Sequence, residues 1–390
     1  PATVWGFENN LVEKVKQKAQ LDVAELLAAK KAYLKDPSVT TVEPWETSFY
    51  NNLLMVNKYS VNPETVQEYL SLDDVTEGLF KITQQLFGVK YVPVTDASVW
   101  HKDVKAFDVM DKGKKIGRFY LDLFPRENKY THAACFPIRK GKQISNGYQL
   151  PIAALICNFN APTADKPSLL THAQAITFFH EFGHVLHNLL TRAALASQAG
   201  AAVKWDFVEA PSQIFENWMW DYSSVKLFAK HYKTREVLPQ DLFQKMLAAR
   251  NVGSGLAASL QLNYGIFDMT LHDKYDPNES KTTTDVAKEV YNTVLPLKYV
   301  DGTAYHAAFG HLTGYAAGYY GYLWSKVYAE DMFSVFEKTG ILNPATGGRY
   351  RNAVLSKGGT VDEMDMVKEF LGRDPNPDAF FKSLGLQAGF

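Results

Sequence analysis

Apolar side chains return every three or four positions near the start of the chain. Val12, Val15, Ala19, Val23, Leu26 and Leu27 fall on one stripe, which predicts a long amphipathic helix over 8–35. Pro37 and Pro44 bracket a connection, and helical spacing returns over 63–88, after Asn62-Pro63. The period then shortens. Residues 104–124 alternate in short runs around Asp111-Lys112-Gly113, which predicts a hairpin. A further strand is expected over 148–158, and Pro151 suits it to a sheet edge better than to a sheet centre. A polar loop at 160–167 then leads into a tract that reads mainly as helix from Thr171 onward, punctuated by Pro239, Pro277, Pro296 and Asn343-Pro344. The expected fold is mainly α with a small mixed or antiparallel β-sheet.

Composition narrows the function classes. A chain of 390 residues exceeds what one hydrophobic core usually supports, so two lobes are expected. Net charge is -1 without a basic cluster, which argues against a nucleic-acid partner. Apolar runs such as 151–157 are too short to span a bilayer, so no membrane partner is expected. Cys135 and Cys157 cannot build a disulfide scaffold and lack Cys-x-x-Cys spacing. They read as small buried apolar residues in a reducing compartment. Gly347-Gly348 and Gly358-Gly359 read as turns, and no Gly-x4-Gly-Lys-Ser/Thr phosphate loop is present.

His180-Glu181-Phe182-Gly183-His184 carries the chemistry. Thr171 and Gln174 form a capping-box pattern that opens a helix here. Histidines four apart then share a face, with Cβ atoms roughly 6 Å apart, and can grip one metal ion. Glu181 projects beside them, where a carboxylate can take a proton from a metal-bound water. Gly183 costs about 1 kcal/mol inside a helix relative to alanine. Its presence predicts close approach of another backbone or of a substrate.

A catalytic zinc needs a third protein ligand and an open position. His187 lies two turns beyond His180, about 10 Å along the axis, so it reads as a core or supporting residue. Glu209 within 206–213 offers a carboxylate, with Pro211 expected to kink or start a helix beside it. On spacing alone Glu209 is either that ligand or an ordinary helix-capping acid. Glu216, on the same face, could orient a ligand histidine.

His311, Tyr315, Tyr319 and Tyr322 fall at i, i+4, i+8 and i+11, one face if the segment is helical. Gly310, Gly314, Gly318 and Gly321 beside that face leave room for something to lie against it. Phenol or imidazole donors on such a face could stabilise an oxyanion. A tightly packed aromatic helix is the plainer alternative.

The stretch from His180 to His187, with Glu209 25 residues after His184, closely resembles the thimet oligopeptidase/neurolysin family of zinc oligopeptidases. Matching stretches include 119–136 with Pro125-Arg126-Glu127, 309–325, Tyr350-Arg351-Asn352 and Phe370-Leu371-Gly372-Arg373. The resemblance covers almost the whole chain and implies a zincin-like, neurolysin-type catalytic fold. It implies one zinc ion held by His180, His184 and Glu209, with Glu181 as general base. It assigns catalytic support to Tyr322, Tyr315 and His311, and substrate binding to Tyr319, with Gly314 and Gly318 beside it. The implied organisation is an N-terminal helical segment at 1–95 and a small β-sheet region at 96–165. A zinc-binding helical core at 166–300 and a C-terminal helical region at 301–390 with the tyrosine face follow.

The implied activity is cleavage of internal bonds in short unstructured peptides, with a strand over 152–159 as the edge a substrate would join. A dipeptidyl carboxypeptidase on the same site, or an inactive zinc-bearing peptide-binding scaffold, are the alternatives. The N-terminal helical part of the family is expected to be missing, so a missing lobe or second chain stands as a further partner. The location implied is cytoplasmic, or organellar if a leader has been removed.

Overall fold

The computed structural model describes residues 1–386. The N-terminal stripe is buried as its spacing predicts. Ala2–Leu34 is one helix whose Leu11, Val15, Ala19 and Leu26 are buried, with Val12, Val23 and Leu27 half-buried beside them. Lys35 ends it in a left-handed conformation, φ 54°.

The chain divides into two compact units. The first comprises Pro1–Asn62, Gln244–Trp324 and the stretch from Asp378; the second comprises Pro63–Phe243 and Ser325–Pro377. In the first unit, the N-terminal helix lies along the helix Ser254–Asp273. A Cβ on Gly255 would stand 2.5 Å from the Ala19 nitrogen, so glycine permits the two backbones to meet. Leu26, Val42, Tyr50, Leu256 and Leu297 form a core cluster there.

The second unit contains a five-stranded sheet, ordered β1 (Val89–Pro93), β2 (Lys105–Asp111), β3 (Lys114–Asp122), β7 (Ile152–Ile156), β4 (Ala134–Arg139). The predicted hairpin is β2–β3. Lys112 and Gly113 both have positive φ, the requirement of a tight two-residue turn. The helical tract expected at 63–88 is broken into Pro63–Gln67 and Leu72–Phe87, because Ser71 caps a new start by accepting from the Asp74 amide.

Two expectations about strands are corrected. The 148–158 stretch holds β6 (Gly147–Gln149), paired with β5 (Lys142–Ile144), and the separate strand β7. Moreover, β7 is internal: it runs parallel to β3 and antiparallel to β4. Pro151 sits just before β7, where its missing N–H removes no ladder bond and its carbonyl accepts from the Arg118 amide at 3.1 Å. The edge strand on that side is β4.

The helix His172–Leu189 packs against the sheet through rings. Phe182 meets Phe119 at 5.4 Å and Phe80 at 5.7 Å, and Tyr91 meets Phe119 at 5.4 Å. Such aromatic pairs contribute about 0.5–1.5 kcal/mol each beyond area burial. Phe182, between the two site histidines, therefore pins the helix to the sheet. Among the described residues, no helix is long and apolar enough to cross a membrane.

Candidate metal centre and tyrosine cluster

The helix carrying the two histidines starts where its sequence says it should. The Thr171 hydroxyl accepts from the Gln174 amide, and the Gln174 side chain accepts from the Thr171 amide. His180 and His184 lie on one face, ring centroids 5.1 Å apart. Glu209 stands at the joint between the helices Trp205–Val208 and Ala210–Glu216, and Pro211 occupies the first turn of the second. The predicted break is present, and its carboxylate turns toward the histidines.

The three side chains converge. Glu209 Oε2 lies 3.2 Å from His180 Nε2 and 3.2 Å from His184 Nε2, and one donor atom from each residue lies within 4.8 Å of the others. A tetrahedral ion with bonds of about 2.0–2.1 Å holds its donors about 3.3 Å apart. Two imidazoles and a carboxylate at this separation fit a metal ion of the zinc type.

Behind the donors the site is braced. Glu216 Oε1 stands 2.8 Å from His180 Nδ1, which directs Nε2 toward the shared centre. Lys326 donates to Glu216 at 2.7 Å and reaches Glu330 at 3.1 Å. The Ser212 hydroxyl donates to Glu209 Oε2 at 3.1 Å. Gly183 shows why a glycine sits mid-helix: a Cβ there would meet the Pro211 carbonyl at 2.5 Å and Ser212 Cα at 2.6 Å. The approaching backbone is thus the segment that follows Glu209.

Electrostatics follow from this crowding. Burial works against a charged His180, but hydrogen bonds to Glu209 and Glu216 outweigh it and raise its pKa to about 10. Burial pushes Glu216 up, while Lys326 and His180 bring it down to about 2. Burial likewise opposes ionisation of Glu209, and His184 and His180 carry it well below the usual carboxylate range. Glu181 is different. It is 7% exposed and its Oε2 has no hydrogen-bond partner. Burial, only partly offset by His184 and His180, raises its pKa. A buried carboxylate oxygen without a partner costs free energy, and such groups cluster at functional sites.

His187 is fully buried as expected, and burial followed by His184 lowers its pKa to about 3. Both its ring nitrogens lack hydrogen-bond partners, so it is a neutral core residue rather than a brace for the histidines. Cys135 and Cys157 are free thiols, and burial pushes both upward in pKa, the behaviour of unreactive residues.

The tyrosine segment belongs to the first unit, and its predicted helix is corrected. Gly310–Thr313 is a short 3-10 turn, irregular turns follow, and helix resumes only at Gly321–Thr339. Four glycines weaken helix propensity by about 1 kcal/mol each. The Asp268 carboxylate also takes the amides of Ala317 and Tyr319, which a helix would have given to its own carbonyls.

The side chains nevertheless gather. His311 lies 5.7, 5.1 and 5.7 Å from the rings of Tyr315, Tyr319 and Tyr322. Tyr315 stacks on Tyr322 at 5.4 Å, and His311 Nε2 shares a 3.1 Å hydrogen bond with the Tyr322 hydroxyl. Gly314 has open space where a side chain would be, whereas Gly318 is crowded by Tyr315.

The sequence profile of Peptidase family M3 matches residues 1–386. The chain belongs to Peptidase family M3. It is 37% identical over 394 aligned residues to Oligopeptidase A of Haemophilus influenzae, covering 99% of this chain and 57% of that protein. It is 40% identical to the Thimet-like oligopeptidase of Dictyostelium discoideum, covering 88% of this chain and 52% of the relative. With Saccharolysin of Saccharomyces cerevisiae it shares 36% identity over 99% of this chain and 56% of the relative. This M3 chain therefore spans just over half the length of these relatives.

The sequence pattern does not single out Ser212 or Lys326. A serine three residues after Glu209 is a local signal, since its hydroxyl also reaches back to the Glu209 carbonyl at 2.8 Å. Lys326 pairs with a carboxylate 110 positions away, and no spacing rule could have found it.

Proposed function

We propose that this M3 chain carries the site for zinc-dependent hydrolysis of internal peptide bonds in short, unstructured oligopeptides. One observation carries the reading: a carboxylate oxygen of Glu209 3.2 Å from each of two imidazoles, with one donor atom from each residue within 4.8 Å of the others and a second buried carboxylate, Glu181, on the turn of the histidines. A zinc ion held by His180, His184 and Glu209 would supply a Lewis acid for the scissile carbonyl and acidify water.

The chain's own residues supply the rest. Glu181, its pKa raised by burial, takes a proton from the attacking water and delivers it to the leaving amine. Glu216, anchored by Lys326, keeps the His180 ring in one tautomer. Tyr322, with Tyr315 and His311, steadies the negative charge on the former carbonyl oxygen, as the family resemblance implies. Tyr319, Gly314 and Gly318 contribute to substrate contact on the same grounds.

Strand β4 supports a peptide partner. It is an edge strand whose Phe136 and Ile138 are exposed, and it lies against the helix of the two histidines. An extended peptide adding to such an edge is read through its main chain, which favours broad specificity. Two free thiols suit a cytoplasmic or other reducing setting.

An internally quenched peptide with and without a chelator tests the proposal. Turnover should vanish on chelation and return with zinc. Glu181→Gln should retain zinc and lose about 100- to 10,000-fold in kcat; full activity in that variant would reject the base assignment. Product masses from a peptide of about ten residues separate internal cleavage from release of C-terminal dipeptides. Binding without cleavage would instead support a peptide-binding scaffold.

A further inference from the structure

We infer that Asp268 is a positioning residue for the tyrosine segment: its buried carboxylate clamps the Ala317 and Tyr319 amides and so sets where the surrounding tyrosines stand. Asp268 is 1% exposed. Its Oδ1 accepts from the Ala317 amide at 3.0 Å, and its Oδ2 accepts from the Tyr319 amide at 3.0 Å. The intervening Gly318 amide donates to the Tyr315 carbonyl at 2.9 Å. Three successive amides are thus satisfied, two by one side chain on another helix.

The clamp holds an unusual conformation. Ala317 has φ 54°, a left-handed backbone that alanine rarely adopts. Such a conformation persists only where its surroundings over-determine it. The two carboxylate bonds do so, because they straddle the left-handed residue and Gly318. Released from Asp268, Ala317 can return to an ordinary conformation, and Tyr315 and Tyr319 then move relative to each other.

One face of the helix Ser254–Asp273 is shaped around the same loop. Gln261, seven residues before Asp268, accepts from the Tyr319 hydroxyl at 3.0 Å, so Tyr319 is held by both its amide and its side chain. Between them, a Cβ on Gly265 would collide with Glu8 Oε1, with Tyr320 Cα of the loop in ordinary contact at 3.6 Å. His272, one turn further on, places Nδ1 2.8 Å from the Asp268 backbone carbonyl and 3.0 Å from Asp268 Oδ1. The aromatic cluster therefore has its geometry set from the neighbouring helix as well as from its own backbone turns. The functional part of this inference rests on the peptidase reading above.

Asp268→Asn tests it, because the amide can accept with only one atom and turns an N–H toward the other donor. Two readouts are needed, and one is independent of catalysis. Amide hydrogen exchange at Ala317 and Tyr319 should accelerate at least tenfold, with the helix Ser254–Asp273 unchanged. On the quenched peptide, kcat should fall at least tenfold while KM changes less than threefold. Adding Ala317→Gly, which removes the conformational penalty, should recover at least threefold of the lost kcat. Should Asp268→Asn not fold, Asp268→Glu, whose longer arm overshoots both amides, is read in the same way.

Unchanged exchange at the two amides overturns the clamp. Faster exchange with unchanged kcat overturns its positioning role. A parent protein that cleaves no peptide, with or without zinc, defeats the peptidase reading and with it the functional half of this inference, while the exchange measurement still decides the clamp.

Discussion

Alanine normally stabilises a helix relative to glycine by about 1 kcal/mol, yet Gly183→Ala should do the reverse here. The added methyl would stand 2.5 Å from the Pro211 carbonyl oxygen, 2.6 Å from Ser212 Cα and 3.1 Å from Phe215 Cδ2. Ordinary contact needs about 3.5 Å, so the helix of His180 and His184 must withdraw from the segment after Glu209 by about 1 Å. Two of the three obstacles are main chain and cannot rotate aside. Overpacking of that kind costs about 1–3 kcal/mol, so a net loss of about 1 kcal/mol is expected after the propensity gain of about 1 kcal/mol. The consequence for metal should be larger. Donor distances must hold to about 0.2 Å, and a shift several times that size moves Glu209 out of register with both imidazoles. Zinc affinity, measured by competition with a chromogenic chelator, should fall at least 100-fold, and thermal unfolding with chelator present should report the smaller stability loss. Affinity within threefold of the parent, together with an unchanged or raised Tm, would refute the argument that these backbones set the donor spacing.

The braces and the buried acids give further tests. Glu216→Gln should weaken zinc binding about 10- to 100-fold by equilibrium dialysis, with Lys326 still paired to Glu330; no change would remove Glu216 from the site. Before any cation binds, His180 keeps its proton up to about pH 10, and zinc must displace it. Apparent zinc affinity should therefore rise about tenfold per pH unit through neutral pH, and a flat profile from pH 7 to 9 counts against the His180–Glu209–Glu216 arrangement. Glu8 lies in the first unit, 1% exposed and without hydrogen-bond partners on either oxygen. Burial, and secondarily Asp268, raises its pKa from 4.5 to about 8. Between those values the native protein keeps a proton that the unfolded chain releases, so stability falls as pH rises, by about 3 kcal/mol at pH 7. Glu8→Gln should abolish that slope in denaturant titrations at pH 5 and 8, and parallel pH profiles for the two proteins would exclude it.

What could be read from the chain tracks the reach of each interaction. His180, Glu181 and His184 were legible because helix geometry alone places them, and the Thr171–Gln174 box that starts their helix is local too. Glu209 was legible in outline, since Pro211 forces a break nearby and frees the side chain to turn inward. The order of the sheet was not. Whether β7 is an edge depends on β4 pairing to it, and Pro151, the residue that suggested an edge, lies outside the strand. Lys326 carries no local sequence signal because its role exists only opposite Glu216.

The tyrosine segment separates two properties that a spacing rule treats as one. Counting from His311 predicted both a helix and a shared face; the structure keeps the grouping of rings without the helix. A helix brings side chains together by supplying its own amides with carbonyl partners every turn. Here an acceptor 49 residues away takes over part of that duty, through the bond from the Ala317 amide to Asp268. Once those amides are satisfied from outside, the backbone can adopt the left-handed step at Ala317 and still pack Tyr315 on Tyr322. Aromatic spacing is therefore informative about which residues meet, because ring burial rewards the meeting whatever the backbone does. It is uninformative about the path between them, which the glycines leave open and a distant carboxylate decides.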